Sequence, residues 1–116
     1  MFRGKPMILT TTDSIEGAVI ESYKGVITAQ VVYGTNALKD LFAKLRDVVG
    51  GRTGSYEDLF RDGQNKALEE LKKKAKALGA NAVVGIELDS GSITIDVSGT
   101  LVLITAAGTA VKISSK

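Results

Sequence analysis

The sequence predicts an α+β fold in two layers, with helices packed on an antiparallel or mixed sheet. Three observations lead to this prediction: β-branched residues fill positions 15–33, two helical patterns follow, and strand-like residues return from 81 to 113. Strands, then helices, then strands, with no internal repeat, are typical of the α+β class. At 116 residues the chain is expected to form one domain, residues 1–116, with residues 1–8 as a flexible N-terminal extension.

The N-terminal strand region, Ile15–Tyr33, is interrupted at Gly25. This pattern fits either two short strands or one strand that bends at Gly25. Thr35–Asn36 then offers a helix cap, and apolar residues recur with helical spacing after it. We therefore predict a first helix over Ala37–Val49.

A second helix is predicted directly after the first. Gly50–Gly51 ends the first helix, because glycine readily adopts the positive φ that helix C-termini need. Ser55 begins the next one, with an acidic residue, Asp58, three positions later in the arrangement of a capping box. An apolar stripe then extends the second helix over about Tyr56–Leu78.

The C-terminal strands show a change of parity. Even-numbered apolar residues share one strand face from Val84 to Leu88, whereas odd-numbered ones share a face from Ile93 to Val97. Because side chains alternate along a strand, the register is expected to reset at Asp89–Ser92 through a bulge or a tight turn.

A β-hairpin is predicted around Ser98–Gly99, where the residue types favour a turn. The predicted cross-strand pairs are Ile95 with Val102 and Ile93 with Ile104. Ala106–Gly108 is expected to bend the last strand.

Composition limits the functions to consider. The chain is 44% apolar but only 5% aromatic, so we expect a core of Val, Ile, Leu and Ala. Fifteen Lys and Arg against 13 Asp and Glu give a formal charge of +2, which is too small to favour a nucleic-acid partner. The N-terminal region contains no apolar run long enough for a signal peptide or a membrane span. A cytoplasmic protein without a membrane partner is expected.

Four segments together resemble the YbjQ-like family of small prokaryotic proteins. They are Gly25–Ile27, Arg46–Glu57, Leu78–Gly85 and Gly108–Val111, and the resemblance covers roughly Thr10–Ile113 in register. Several matches in the same order are far more specific than one short motif.

The resemblance implies a β-α-β-β core like that of a dodecin subunit, with an additional N-terminal strand and two consecutive helices. It also implies a homopentameric ring and a heavy-metal-binding domain. Heavy-metal sites use thiolate and imidazole ligands, and this chain has no cysteine and no histidine. We therefore expect neither Zn²⁺ nor Cu²⁺ binding, and no cofactor.

Candidate ligand-binding residues lie around the junction of the two predicted helices. The Gly50–Ser55 loop precedes a helix N-terminus, which favours anions, and Arg52 adds a positive charge. The alternative is that these residues only end one helix and cap the next. Arg46 lies beside the apolar stripe of the first helix, where it would either pair with an acid of a neighbouring subunit or bind a small anion there. Tyr56 and Glu57 complete the candidate site.

A weaker candidate is a site for a hard metal ion. Glu87 and Asp89 alternate along one strand, so their carboxylates share a face. An exposed polar strand face is the alternative explanation. The basic residues Lys72–Lys74 and Lys76 follow Glu69–Glu70 on the second helix and are interpreted as a solvated face.

Catalysis is not expected, because a chain without His or Cys lacks the usual general base and the usual thiol nucleophile. The leading hypothesis is a self-assembling ring that binds a small anion or metal ion between subunits near Arg46, Arg52, Tyr56 and Glu57. The alternatives are a carboxylate-dependent enzyme that uses Glu57 or Asp47, and a scaffold for another protein.

Overall fold

The computed structural model describes residues 6–36, 56–95 and 99–116. It contains a mixed four-stranded sheet and, within these residues, one long helix, which confirms the predicted α+β class. The elements are β1 (Ile8–Leu9), β2 (Ala18–Tyr33), α1 (Tyr56–Ala77), β3 (Ala82–Ile95) and β4 (Gly99–Ser115). The predicted helix over Ala37–Val49 lies outside the described residues.

The strand order across the sheet is β1-β3-β4-β2. β1 pairs in parallel with the start of β3, and β4 pairs antiparallel with β3 on one side and with β2 on the other. β1 was not predicted, because a strand of two residues is too short to leave a periodic pattern in the sequence. Its first residue, Ile8, pairs with Ala82, and Met7 packs against the core. Residues 1–5 of the predicted extension lie outside the described part of the chain.

β2 is one long strand that bends at Gly25, as one of the two sequence interpretations predicted. Gly25 has a φ of 132°, and the pairing with β4 shifts by one residue between Tyr23 and Gly25. A second shift lies between Ile20 and Ser22. The two shifts together give β2 two more residues than the paired part of β4. An insertion of two residues leaves the alternation of faces unchanged, because side chains alternate with a period of two along a strand.

β3 contains a bulge, but not at the predicted position, and it places Val84 and Leu88, which were expected to share a face, on opposite faces. The register shifts between Val84 and Glu87, whereas Asp89–Ser92 pairs with β4 without interruption. Gly85 has a φ of 62°. The backbone N–H groups of the bulge bond to the segment after β1: Gly85 donates to the carbonyl of Thr12 (2.8 Å) and Ile86 to that of Thr10 (3.1 Å). The bulge is located here because a distant segment satisfies its donors.

At Ala106–Gly108, where the last strand was expected to bend, β4 keeps its register with β2. The irregularity lies in the neighbouring strand instead. A Cβ on Gly108 would lie 2.7 Å from Val83 Cγ1 and 3.0 Å from Ile86 Cγ1. Gly108 therefore gives the β3 bulge room to pack.

The β3–β4 hairpin is confirmed, but its predicted register was wrong by three residues. Ile95 pairs with Gly99 and Ile93 with Leu101, so that Ile104 lies opposite Ser90. Gly99, which was assigned to the turn, is the first residue of β4 and has a φ of 127°. The turn residues 96–98 lie outside the described residues.

Helix α1 matches the second predicted helix to within one residue at its C-terminal end. One face is buried along its length, with Leu59, Ala67, Leu71 and Ala75 all at 0% exposure. Burial of each leucine side chain contributes about 2 kcal/mol. Acidic residues in the first turn and lysines in the last turn complement the helix dipole.

The sheet is covered on both faces, but at different places. We call the face against α1 the inner face and the opposite one the outer face. The inner-face core includes Ile27, Tyr33, Val83, Val102 and Ile104, together with the buried residues of α1. A smaller cluster lies on the outer face; its members are Ala82, Val84, Val111 and Ile113, with Ile8, Ile15, Ala18 and Ile20 packed against them. The rest of the outer face includes exposed side chains.

Candidate ligand site beside helix α1

Two of the four predicted ligand-binding residues lie at the start of α1. Tyr56 is its first residue, and Glu57 is an exposed residue of its first turn. Arg46, Arg52 and the Gly50–Ser55 loop lie outside the described residues. The described structure therefore places Tyr56 and Glu57 in the N-terminal turn of α1.

One helical turn further along α1 lies a polar group that we call the Tyr33 cluster, made of Tyr33, Asp62 and Lys66. The Tyr33 hydroxyl donates a hydrogen bond to Asp62 Oδ2. Lys66 Nζ lies 3.2 Å from the same oxygen and 5.5 Å from the centroid of the Tyr33 ring. One lysine thus contacts both the carboxylate and the aromatic face.

The local packing explains how the Tyr33 cluster forms. Tyr33 is the last residue of β2 and is buried on the inner face, while Asp62 and Lys66 are four residues apart and so share one side of α1. Between them, Gly63 packs directly on the sheet. A Cβ there would lie 2.0 Å from Ile104 Cδ1 and 3.2 Å from the Tyr33 ring. The missing side chain lets α1 approach closely enough for Asp62 to reach Tyr33.

The pKa shifts in the Tyr33 cluster favour the ordinary ionisation states. Burial and the hydrogen bond to Asp62 raise the pKa of the Tyr33 hydroxyl. The hydrogen bond from Tyr33 lowers the pKa of the Asp62 carboxyl, with a further contribution from Lys66 against an opposing effect of burial. At neutral pH the cluster holds a phenol and a carboxylate. A nucleophilic tyrosine needs a lowered pKa and a carboxyl that acts as a general acid needs a raised one, so both shifts in the Tyr33 cluster are in the opposite direction.

A groove of 370 Å³ continues from the Tyr33 cluster along α1. Its lining residues within the described part of the chain all lie on the helix: Asp62, Asn65, Lys66, Glu69, Glu70 and Lys73. This volume is in the range of small-molecule sites, but such sites normally enclose most of their ligand. These described residues therefore form one wall of a site, and a second surface would enclose a ligand against them.

The basic residues near the end of α1 make local contacts. Lys72 Nζ lies 3.4 Å from Glu69, and Lys74 Nζ donates a 2.6 Å hydrogen bond to the backbone carbonyl of Thr28 on β2. The predicted solvated face therefore also includes a contact to the sheet edge.

The weak metal candidates, Glu87 and Asp89, are exposed on the outer face of β3, opposite Ala107 and Thr105. Across residues 6–36, 56–95 and 99–116, no three acidic residues approach closely enough to hold a metal ion together. Met7 is half-buried and packs against the core cluster, so its sulfur takes part in apolar packing. Without thiolate or imidazole groups, the residues of this chain do not fit a heavy-metal ion.

Comparison with known proteins identifies the family. The YbjQ family model, described as "Putative heavy-metal-binding", matches residues 7–114. The chain belongs to the YbjQ family. Among the YbjQ relatives of this chain, a UPF0145 protein of Nostoc punctiforme is 66% identical and covers 91% of this chain and 98% of its own. A UPF0145 protein of Synechocystis is 53% identical and covers 92% and 99%.

A solved structure supports the YbjQ fold. A crystal structure of a DUF74-family protein of unknown function from Pediococcus pentosaceus superposes with a TM-score of 0.64 at 18% identity, covering 93% of this chain and 98% of that chain. This similarity concerns the fold alone. Within the described part of the YbjQ chain, no helix is long and apolar enough to cross a membrane.

The Tyr33 cluster was not predicted from the sequence. Asp62 and Lys66 were recognisable as neighbours on a helix, but Tyr33 is separated from Asp62 by 29 positions. The one available signal was Gly63, an unfavourable residue inside a strongly periodic helix. Such a glycine indicates close packing, although it does not identify the partner.

Proposed function

We propose that this chain assembles in the cytoplasm as a homopentameric ring of dodecin-like subunits and binds a small ligand or ion between them. The observation that carries the assembly is the exposure of large side chains on β2. Tyr23 is 71% exposed, Val26 77% and Val32 55%. Large side chains on one sheet strand form a surface that another subunit would cover favourably.

The groove along α1 supports a ligand site between subunits. It offers carboxylates, lysines and an amide on one wall, and a neighbouring copy would supply the opposite wall. Arg46, Arg52, Tyr56 and Glu57 are the predicted contacts where this wall reaches the start of α1. Arginine pairs well with carboxylate and phosphate groups, so a small anion is the ligand class proposed for the arginine end.

A hard cation is the second ligand class, since carboxylates and amide oxygens suit Mg²⁺. A heavy metal is not proposed, because the chain has no cysteine or histidine to bind it. Binding is proposed rather than catalysis, since the Tyr33 cluster keeps a protonated phenol and an ionised carboxylate at neutral pH.

Native mass spectrometry of the protein purified from its host tests the assembly and the ligand together. Five copies of 12.2 kDa give an expected mass of about 61 kDa. Extra mass on the ring that disappears after denaturation would identify a retained ligand. A monomer at tens of micromolar protein would contradict the ring and the ligand site between subunits.

Calorimetric titrations test the ligand class with inorganic phosphate, Mg²⁺, Zn²⁺ and Cu²⁺. The expected result is heat of binding with phosphate or Mg²⁺, and no sub-micromolar binding of Zn²⁺ or Cu²⁺. Arg52→Ala should weaken phosphate binding, whereas Lys112→Ala, a matched loss of an exposed cation on β4, should not. Tight Zn²⁺ binding would contradict the argument from the missing thiol and imidazole groups.

A further inference from the structure

We propose that the ring closes by pairing the two edges of the sheet head to tail, with β2 of one copy against β3 of the next. This inference rests on the ring assembly proposed above and assigns the surfaces that form it. Three observations carry it: a regular open edge on β2, a partly covered edge on β3, and the exposed apolar side chain of Leu88 on β3.

The β2 edge is suited to pairing from Gly25 to Tyr33. Within the described residues, β2 has a hydrogen-bonded neighbour on one side only, which is β4. From Gly25 onward the pairing with β4 is regular, and the segment contains no charged residue and no proline. An uncharged, regular edge strand readily accepts another strand. The Thr28 carbonyl marks the open side, because it accepts its hydrogen bond from Lys74 of the helix.

The β3 edge is covered only at its beginning. β1 pairs with Ala82 and Val83, and the segment after β1 bonds to Gly85 and Ile86. From Glu87 to Ile95, β3 has no strand neighbour on that side among the described residues.

One side chain shows that this part of β3 lacks a neighbour on the inner face. Leu88 lies opposite Ala106 and therefore shares the inner face with it, yet Leu88 is 41% exposed whereas Ala106 is buried. A strand added beside β3 would cover Leu88 with its own inner-face residues. The corresponding residues on β2 are the apolar Ile27 and Ala29.

The ring decides between the possible pairings. Pairing β2 with β2 of a second copy would join two identical surfaces and end at a dimer, whereas pairing β2 with β3 leaves one free edge of each kind for a further copy. Two different surfaces in contact make a heterologous interface, which closes into a ring when the rotation permits. Because β2 and β3 are both antiparallel to β4, such a rotation would pair them as parallel strands.

Cysteine cross-linking tests the pairing cleanly, because the chain contains no cysteine. Gln30→Cys places a thiol on exposed β2, and Asp89→Cys places one on exposed β3. Each variant alone, an equimolar co-assembled mixture, and the double variant are treated with a short bis-maleimide, and the ring mass is measured on the same samples. The expected result is no cross-link for either single variant, covalent dimers in the mixture, and a ladder up to the ring in the double variant.

Each other outcome overturns the proposal in an identifiable way. Dimers of Gln30→Cys alone would show β2 paired with β2. An intact ring without cross-links in the double variant would show that other surfaces hold the ring, so the edge pairing would be wrong while the ring itself stood. A monomer for the unsubstituted chain would contradict both the edge pairing and the ring.

A backbone variant gives a second test that does not depend on a thiol. In an antiparallel strand alternate residues point their N–H and C=O groups to the same side, so Gln30 shares the open side with Thr28. Gln30→Pro removes one N–H from the open edge and leaves the bonds to β4 in place. It should raise the protein concentration at the midpoint of ring assembly by about tenfold relative to Gln30→Ala. Equal midpoints for the two variants would contradict the edge pairing.

Discussion

The Tyr33 hydroxyl donates a hydrogen bond to the Asp62 carboxylate, and this bond joins the end of β2 to the second turn of α1. The two residues lie on either side of the connection that holds the predicted Arg46 and Arg52 candidates. A contact between distant positions offsets part of the entropic cost of closing the connection. Tyr33 and Asp62 therefore contribute to stability in a part of the molecule where a ligand site is proposed.

Removing the Tyr33 hydroxyl should destabilise the fold. Tyr33→Phe is expected to lower the free energy of unfolding by about 1 kcal/mol, since it leaves one buried polar contact unmade. Asp62→Asn should have a similar effect, and the double variant should cost less than the sum of the two. Urea denaturation measures all three. Tyr23→Phe is the matched control, because Tyr23 is 71% exposed; additive effects of the two changes would contradict a direct bond.

The lowered pKa of Asp62 predicts a stability change in acid. A carboxyl whose pKa is lower in the folded state stabilises the fold above its unfolded pKa, 3.8, and this contribution disappears as the pH falls through the folded value. Because the Asp62 side chain is 40% exposed, the effect should stay below about 1 kcal/mol. Thermal unfolding between about pH 6 and pH 2 should therefore show a steeper loss of stability in the unsubstituted chain than in Asp62→Asn.

The same argument predicts no corresponding change near neutral pH. The pKa of Tyr33 is raised, so its contribution is complete below the ordinary tyrosine pKa of 10.0 and is lost only as the pH rises towards the higher folded value. Tyr33→Phe and the unsubstituted chain should therefore differ by a constant amount between about pH 6 and pH 9. A difference that changes within this range would contradict the assignment.

Gly63 should not tolerate alanine, although alanine favours helices. The added Cβ would lie 2.0 Å from Ile104 Cδ1, and overpacking of this kind costs about 1–3 kcal/mol. Ile104→Val removes the clashing methyl group, so Gly63→Ala should be less harmful in that background. Gly91→Ala is the matched control, since a Cβ there would have no neighbour within 4 Å. Equal stability of Gly63→Ala and Gly91→Ala by urea denaturation would contradict the close packing.

Asn81 should be important for the sheet beside the C-terminal end of α1. Its side-chain amide donates to the Ile113 carbonyl (3.0 Å) and accepts from the Ile113 N–H (2.7 Å). Asn81→Ala is therefore expected to cost about 2 kcal/mol and to speed hydrogen exchange of the Ile113 amide. Asn65→Ala on exposed α1 serves as the control. Unchanged exchange at Ile113 in Asn81→Ala would show that the bridge contributes little.

Local sequence patterns predicted the helix and the strands of this fold better than they predicted the register between the strands. Helix α1 was predictable because its apolar stripe is long, and the bend of β2 was predictable because Gly25 interrupts a β-branched run. The bulge of β3 was misplaced, since its position depends on hydrogen bonds to Thr10 and Thr12, residues about 75 positions away. The register of the hairpin was also wrong, because the turn preference of glycine assigned Gly99 to the turn, whereas Gly99 is the first residue of β4.

The candidate site was predictable only in part. The place of Tyr56 and Glu57 in the first turn of α1 followed from the capping pattern, whereas the Tyr33 cluster depends on a contact across 29 positions that no local pattern encodes. Arg46 and Arg52 remain predictions. The absence of cysteine and histidine was the most informative functional feature of the sequence, since it argues against heavy-metal binding and against catalysis by a thiol or an imidazole.

The bulge at Gly85–Ile86 adds one residue to β3, and this extra residue determines which face of the sheet carries the acidic side chains of Glu87 and Asp89. If one residue were deleted there, every later side chain of β3 would turn over, and Glu87 and Asp89 would point towards the helical layer. A relative that lacks one residue at this point would therefore carry the negative charge on the other face of the sheet, even if all its other residues were identical.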